Sequence, residues 1–149
     1  DATGKRNIYK SYLANTDYIN NWDLVDSSAH KIVGPYLINK PEKMEVLAEL
    51  ARSESMWERR IAIVSTLYNS AVGKSSIETI TLAEILLDDT EDLMHKAVGW
   101  ALREVGKNVG ESELTDFLDK HTHNMPRTTL RYSIERLSPK QRKHYMELK

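Results

Sequence analysis

The chain has 149 residues, 40% hydrophobic and 29% charged, with a formal net charge of −1. That profile suits one globular domain with a continuous core better than two. The absence of cysteine excludes a disulfide scaffold and a thiolate metal site and is compatible with a reducing cytoplasm. No apolar run reaches membrane-helix length and no signal peptide opens the chain, so a cytoplasmic protein without membrane contact is expected.

In chain order, segments from about Lys5 to Asn15 and from Thr16 to Leu37 read as helical, the second interrupted by Gly34-Pro35. Asn39-Lys40-Pro41 places a proline where a helix starts, and Pro41 to about Arg52 carries Met44, Val46, Leu47 and Leu50 at helical spacing. Ser55 with Glu58 forms a capping-box pattern opening a helix to about Ser70. Gly73-Lys74-Ser75-Ser76 reads as a turn, followed by a helix from about Ser76 to Leu87. Asp88-Asp89-Thr90 caps a helix ending near Gly106, and Gly110 precedes one from Glu111 to about Lys120. Pro126 sits in the first turn of a sixth helix, and Ser138-Pro139-Lys140-Gln141 caps a seventh. Nothing alternates as a half-buried strand would, so the chain is predicted to be all-α.

Second helices of successive pairs begin near Ser55, Glu91 and Pro126, a period of about 35 residues. Two helices per unit at that period indicate an α-solenoid, and HEAT-like is the fitting label because tetratricopeptide signature residues are missing. The chain starts at Asp1 without methionine, which suggests a fragment preceded by further repeats.

Charge follows repeat position. First helices (41–53, 76–89, 111–120) carry eleven acidic residues against three basic, a net of −8. Second helices with the C-terminal segment (57–69, 91–107, 126–137, 139–149) carry six acidic against twelve basic, a net of +6. Three pairs in phase point to a basic inner groove facing a polyanion rather than to separately solvated faces.

Four segments hold the chemically interesting residues. Trp22 and Asp26 are four apart and share a helix face; Trp100 and Arg103 are three apart and do likewise. Arg60 lies near the matching position of the preceding repeat, beside Arg59, and Arg127 and Arg131 stand on the sixth helix. Indoles, guanidiniums and one carboxylate suit a sugar-phosphate substrate. An unpaired carboxylate facing a polyanion repels phosphate, so Asp26 would need a catalytic explanation there. Hydrolysis of an N-glycosidic bond supplies one, because the sugar becomes oxocarbenium-like as the base departs. Plainer alternatives stay open: Asp26 as a helix cap or arginine partner, Arg59-Arg60 and Arg103-Glu104 as inter-repeat ion pairs, and Asp23 as solvated. Trp57 reads as core. His121-Thr122-His123 resembles a metal fragment but has no further ligand nearby and reads as a loop.

Four motifs, NWDLVDSSAHKIVGPYL, WERRIAIVST, DLMHKAVGWALRE and MPRTTLRYSIERL, in this order and spacing, resemble the DNA alkylation repair enzyme family, the HEAT-like-repeat DNA glycosylases of the AlkD type. The resemblance spans about Lys5 to Tyr145 and matches the C-terminal, site-bearing portion of that family. It implies a monofunctional glycosylase that needs no metal or other cofactor and releases cationic N3- and N7-alkylated purines from duplex DNA, acting as a monomer. It further implies Asp26 as the carboxylate that stabilises the sugar cation and positions water. Trp22 and Trp100 match indoles flanking the lesion's deoxyribose, Arg60 or its neighbour Arg59 a phosphate contact, and Arg103 a second DNA-contacting arginine. One position departs: Asn21 stands where members commonly carry another tryptophan. The rival expectation is a non-catalytic DNA-binding or scaffold solenoid.

Overall fold

The computed structural model describes all 149 residues and contains nine α-helices, two short 3₁₀ turns and no strand. The helices are α1 (Ala2–Ala14), α2 (Trp22–Leu37), α3 (Lys43–Ala51), α4 (Met56–Ala71), α5 (Ile77–Ile85), α6 (Asp92–Asn108), α7 (Glu111–His121), α8 (Arg127–Ser133) and α9 (Pro139–Leu148). The chain is thus an all-α helical-repeat protein. Helices α2, α4, α6 and α8 pack side by side in one layer. Against it α1 covers α2, α3 covers α4, α5 bridges α4 and α6, and α7 lies on α6. The layer helices begin at residues 22, 56, 92 and 127, separated by 34, 36 and 35. The period therefore extends one repeat further toward the N-terminus than the three starts near Ser55, Glu91 and Pro126.

Local chemistry explains most boundaries and several departures from the predicted ones. The segment from Thr16 is not one helix: Thr16–Tyr18 forms a 3₁₀ turn, and α2 starts only at Trp22. Asn21 caps it, its side-chain oxygen accepting from Leu24 N at 2.9 Å. Gly34-Pro35 does not interrupt α2, because a proline near a helix C-terminus forfeits one hydrogen bond without continuing turns to distort. Pro41 falls in the turn before α3, which starts at Lys43. Ser55 Oγ accepts from Glu58 N at 3.4 Å. Glu58 does not reach back to complete the box. Its carboxylate accepts from Thr16 Oγ1 at 2.7 Å and Ser53 Oγ at 2.6 Å, fastening the 3₁₀ turn to α4. Only Ser138 with Gln141 makes the full reciprocal cap.

Helix α4 is central. Arg60 to Thr66 are all buried in sequence, so it has no solvated stripe along that stretch. Its core hydroxyls are satisfied locally: Ser65 donates to Ile61 O and Thr66 to Ile63 O, each at 2.6 Å. Two glycines set how closely the layer helices approach. A Cβ on Gly34 would lie 2.6 Å from Ser65 O on α4, and one on Gly99 would lie 2.5 Å from Tyr132 Cβ and 2.8 Å from Thr129 O on α8. Gly99→Ala must push α8 off α6. Overpacking outweighs the roughly 1 kcal/mol gained in helix propensity, so a net destabilisation of about 1–2 kcal/mol is expected in urea unfolding. Unchanged or raised stability would show that the contact yields freely.

The one buried carboxylate of the outer helices is Glu78 on α5. It accepts from Lys43 Nζ on α3 at 2.7 Å and from Ser75 Oγ at 2.7 Å. Burial alone opposes its ionisation, but these donors more than offset that and hold the carboxyl below its usual range. A folded value below the unfolded one contributes stability that is present above about pH 4.5 and lost as pH falls through the folded value. Parent and Glu78→Gln should therefore differ in melting temperature at pH 7, and the gap should narrow on acidification below pH 4. A gap independent of pH would exclude the linkage.

Candidate active site

The Asn21 cap places Trp22 at the first position of α2 and Asp26 one turn later. Helix α4 packs on α2 so that Arg60, 34 residues after Asp26, meets the carboxylate with both ends of its fork. Arg60 Nε donates to Asp26 Oδ1 and Nη2 to Oδ2, each at 2.9 Å. The third nitrogen, Nη1, donates to the carbonyl of Leu93 on α6. The Arg60 side chain is 7% exposed and that of Asp26 19%, so the guanidinium is enclosed while the carboxylate keeps an open edge. Each oxygen retains lone-pair capacity for a further donor from that side. Sequence reasoning leaves Asp26 open between an unpaired carboxylate, a helix cap and an arginine partner; the structure pairs it with Arg60, through the lateral register of α2 against α4.

Helix α6 presents Leu93, Lys96, Trp100 and Arg103 at spacings of three, four and three, one face of a helix. Helix α8, held close by Gly99, adds Tyr132. These residues with Trp22, Asp26 and Arg60 enclose an open cleft of about 470 Å³. Trp22 is 55% exposed and Tyr132 37%, so both present aromatic surface to the cleft. Arg103 donates to Glu135 in the turn just after α8 and lies 3.9 Å from Glu104, while its Nε is buried without a hydrogen-bond partner. Lys96 pairs with Asp92 at 3.1 Å. A carboxylate at the floor, aromatic walls and cations at the rim make a site for an anionic ligand whose reacting centre develops positive charge.

The family model for DNA alkylation repair enzyme matches residues 1–137, which contain every residue of this cleft. The chain belongs to that family. No curated protein and no solved structure gives a significant match. Membership in a DNA alkylation repair enzyme family points to DNA as the substrate class.

The cleft collects Trp22, Asp26, Arg60, Trp100 and Arg103 from helices distant in sequence. Arg59 is not among them. It turns to the other side of α4, pairing with Asp89 at 2.7 Å and donating to the carbonyls of Ser53 and Glu54. This resolves the Arg59–Arg60 ambiguity in favour of Arg60 as the cleft arginine, though as the partner of a carboxylate. Arg127 and Arg131 are exposed on α8 and line no part of the cleft. Asn21, at the departing position, is exposed and acts through its cap. Trp57 packs against the core, as its sequence context indicates. Leu93, Lys96 and Tyr132 are the cleft residues that sequence reasoning missed. Lys96 had a signal, four residues before Trp100; Tyr132 had none until α8 met α6.

Beyond Trp100 a second hollow of about 400 Å³ is lined by His30, Tyr68, Glu104 and Asn108 among others. His30 follows Asp26 by one turn; burial first, and Lys31 beside it, lower its pKa below the usual imidazole value. His121 stacks obliquely on Phe117, and Thr122–Asn124 forms a 3₁₀ turn rather than an open loop. No three His, Asp or Glu side chains gather as a metal-ligand set. No helix is long and apolar enough to cross a membrane.

Replacing Arg60 by Ala removes both donors and the counter-charge from the largely buried Asp26 carboxylate. A loss of about 3 kcal/mol in urea unfolding is expected, with a smaller loss for Asp26→Asn, whose amide still fills the position. Near-equal, small losses would mean that the pair contributes little.

Proposed function

We propose that this protein is a monofunctional DNA glycosylase that hydrolyses the N-glycosidic bond of positively charged alkylated purines, of the 3-methyladenine and 7-methylguanine type, in duplex DNA. The observation that carries the reading is a single carboxylate, Asp26, oriented bidentately by Arg60 and open to a cleft walled by Trp22 and Trp100.

In this reading the C1′–N bond breaks with its electron pair passing to the base, which leaves neutral because it began cationic. No general acid for the base is then required. The sugar gathers oxocarbenium charge against the Asp26 edge. A lone carboxylate about 4 Å away would contribute on the order of 4 kcal/mol at an effective dielectric near 20. Arg60 cancels part of that field, so about 2–4 kcal/mol, a hundredfold to a thousandfold in rate, is the appropriate range. Water adds to C1′ and its proton passes to Asp26 or to solvent. The indoles pack on sugar C–H faces, and Lys96 and Arg103 meet backbone phosphates. Arg60, with all three of its nitrogens engaged inside, positions Asp26; its phosphate is at most indirect.

Release of 7-methylguanine from methylated duplex DNA tests the reading. Asp26→Asn is expected to bind DNA as tightly as the parent or more tightly, and to release base a hundredfold to a thousandfold more slowly. Borohydride should trap no protein–DNA adduct, although Lys96 shares the cleft; trapping would make the enzyme bifunctional. Salt-sensitive DNA binding by the parent without base release would move the reading to a DNA-binding module.

A further inference from the structure

The cleft contains three cations, and each is matched by a carboxylate. In the floor pair the Arg60 guanidinium is enclosed at 7% exposed, while the Asp26 side chain is 19% exposed toward the cleft. The rim pairs differ: Asp92, which holds Lys96, is 64% exposed, and Glu135, which holds Arg103, is 65% exposed. Empty, the cleft is therefore close to neutral, although its family works on DNA. Lys96 and Arg103 stand seven residues apart on α6, one on either side of Trp100, about 10 Å along the axis at 1.5 Å per residue. Arg103 is tied to Glu135 through Nη1, while its Nε is buried 3.9 Å from Glu104.

We infer that Asp92 and Glu135 are stand-ins for DNA phosphates: each occupies, in the free protein, the cation that a backbone phosphate takes when duplex DNA seats across Trp100. The inference rests on reading the cleft as a DNA site. Relative strengths decide which pairs exchange. An exposed ion pair is weak and screened by salt, so a row of backbone phosphates, each with two non-bridging oxygens sharing one negative charge, displaces it. The enclosed bidentate pair is costly to break and stays. DNA thus opens the rim while the Asp26 floor remains in place. The stand-ins lower affinity for any duplex, damaged or not, and so specify how tightly this enzyme holds DNA that offers it nothing to repair.

Fluorescence anisotropy with an undamaged 20-base-pair duplex tests this, using the parent, Asp92→Asn, Glu135→Gln, Glu147→Gln, Arg103→Gln and the double variant Glu135→Gln/Arg103→Gln. Glu147 pairs with Lys143 on α9 with similar exposure but lines no part of the cleft, so it controls for removal of one negative charge. Expected at low salt is a threefold to tenfold tighter Kd for Asp92→Asn and for Glu135→Gln, and less than twofold for Glu147→Gln. The Glu135→Gln gain should vanish in the Arg103→Gln background. Weaker or unchanged binding by the two rim variants overturns the inference, as does an equal gain from Glu147→Gln or a gain that survives without Arg103. A parent that binds duplex DNA while the rim variants behave in this way sinks the inference alone. A parent that binds no duplex DNA at any salt sinks the reading of the cleft, and the inference with it.

Discussion

Three nitrogens of one side chain join three helices. Arg60 belongs to α4, grips Asp26 on α2 through Nε and Nη2, and reaches the Leu93 carbonyl on α6 through Nη1. A guanidinium is suited to this because its donors lie in one rigid plane, two for a carboxylate and one for a carbonyl at the side. Because the guanidinium is enclosed, losing the Asp26 carboxylate would leave a buried charge without its counter-ion. The relative placement of α2, α4 and α6 therefore determines, and is determined by, the geometry around the one carboxylate in the cleft.

Around that pair the layer is drawn together where side chains are smallest. Gly34 lets α2 meet α4, and Gly99 lets α6 meet α8. The second contact brings Tyr132 to the cleft and puts Glu135 within reach of Arg103. The outer helices contribute mainly support. Glu58 fastens the 3₁₀ turn before α2, and Glu78 ties α3 to the start of α5. Acidic side chains thus have distinct tasks by depth: enclosed ones hold the frame, while exposed ones at the rim meet cations that DNA also seeks.

This modifies the picture of a basic groove. The segregation of charge by repeat position is real in the sequence, yet charge along a helix does not say which cations are free. Arg59 is absorbed by Asp89, Arg60 by Asp26, and Arg103 by Glu135. On the proposed reading, such a groove would meet DNA by exchanging internal partners for phosphates, so that affinity is adjustable through residues that never touch the reacting sugar.

The sequence by itself determined the all-α class, the 35-residue period and most helix ends, because periodicity, caps and prolines act within one or two turns. It also placed Trp22 with Asp26, and Trp100 with Arg103, since each pair lies within one turn of one helix. It did not determine that α2 starts as late as Trp22, where Asn21 competes as a cap, nor that Glu58 abandons its local box for Thr16. Only the tertiary structure decided that Asp26 is paired, that Arg60 rather than Arg59 faces it, and that Leu93, Lys96 and Tyr132 complete the cleft. Those outcomes depend on the rotation and register of one helix against the next. That register is set by close contacts between residues about 33 or 34 positions apart, such as Gly34 with Tyr68 and Gly99 with Tyr132, and no local pattern encodes it.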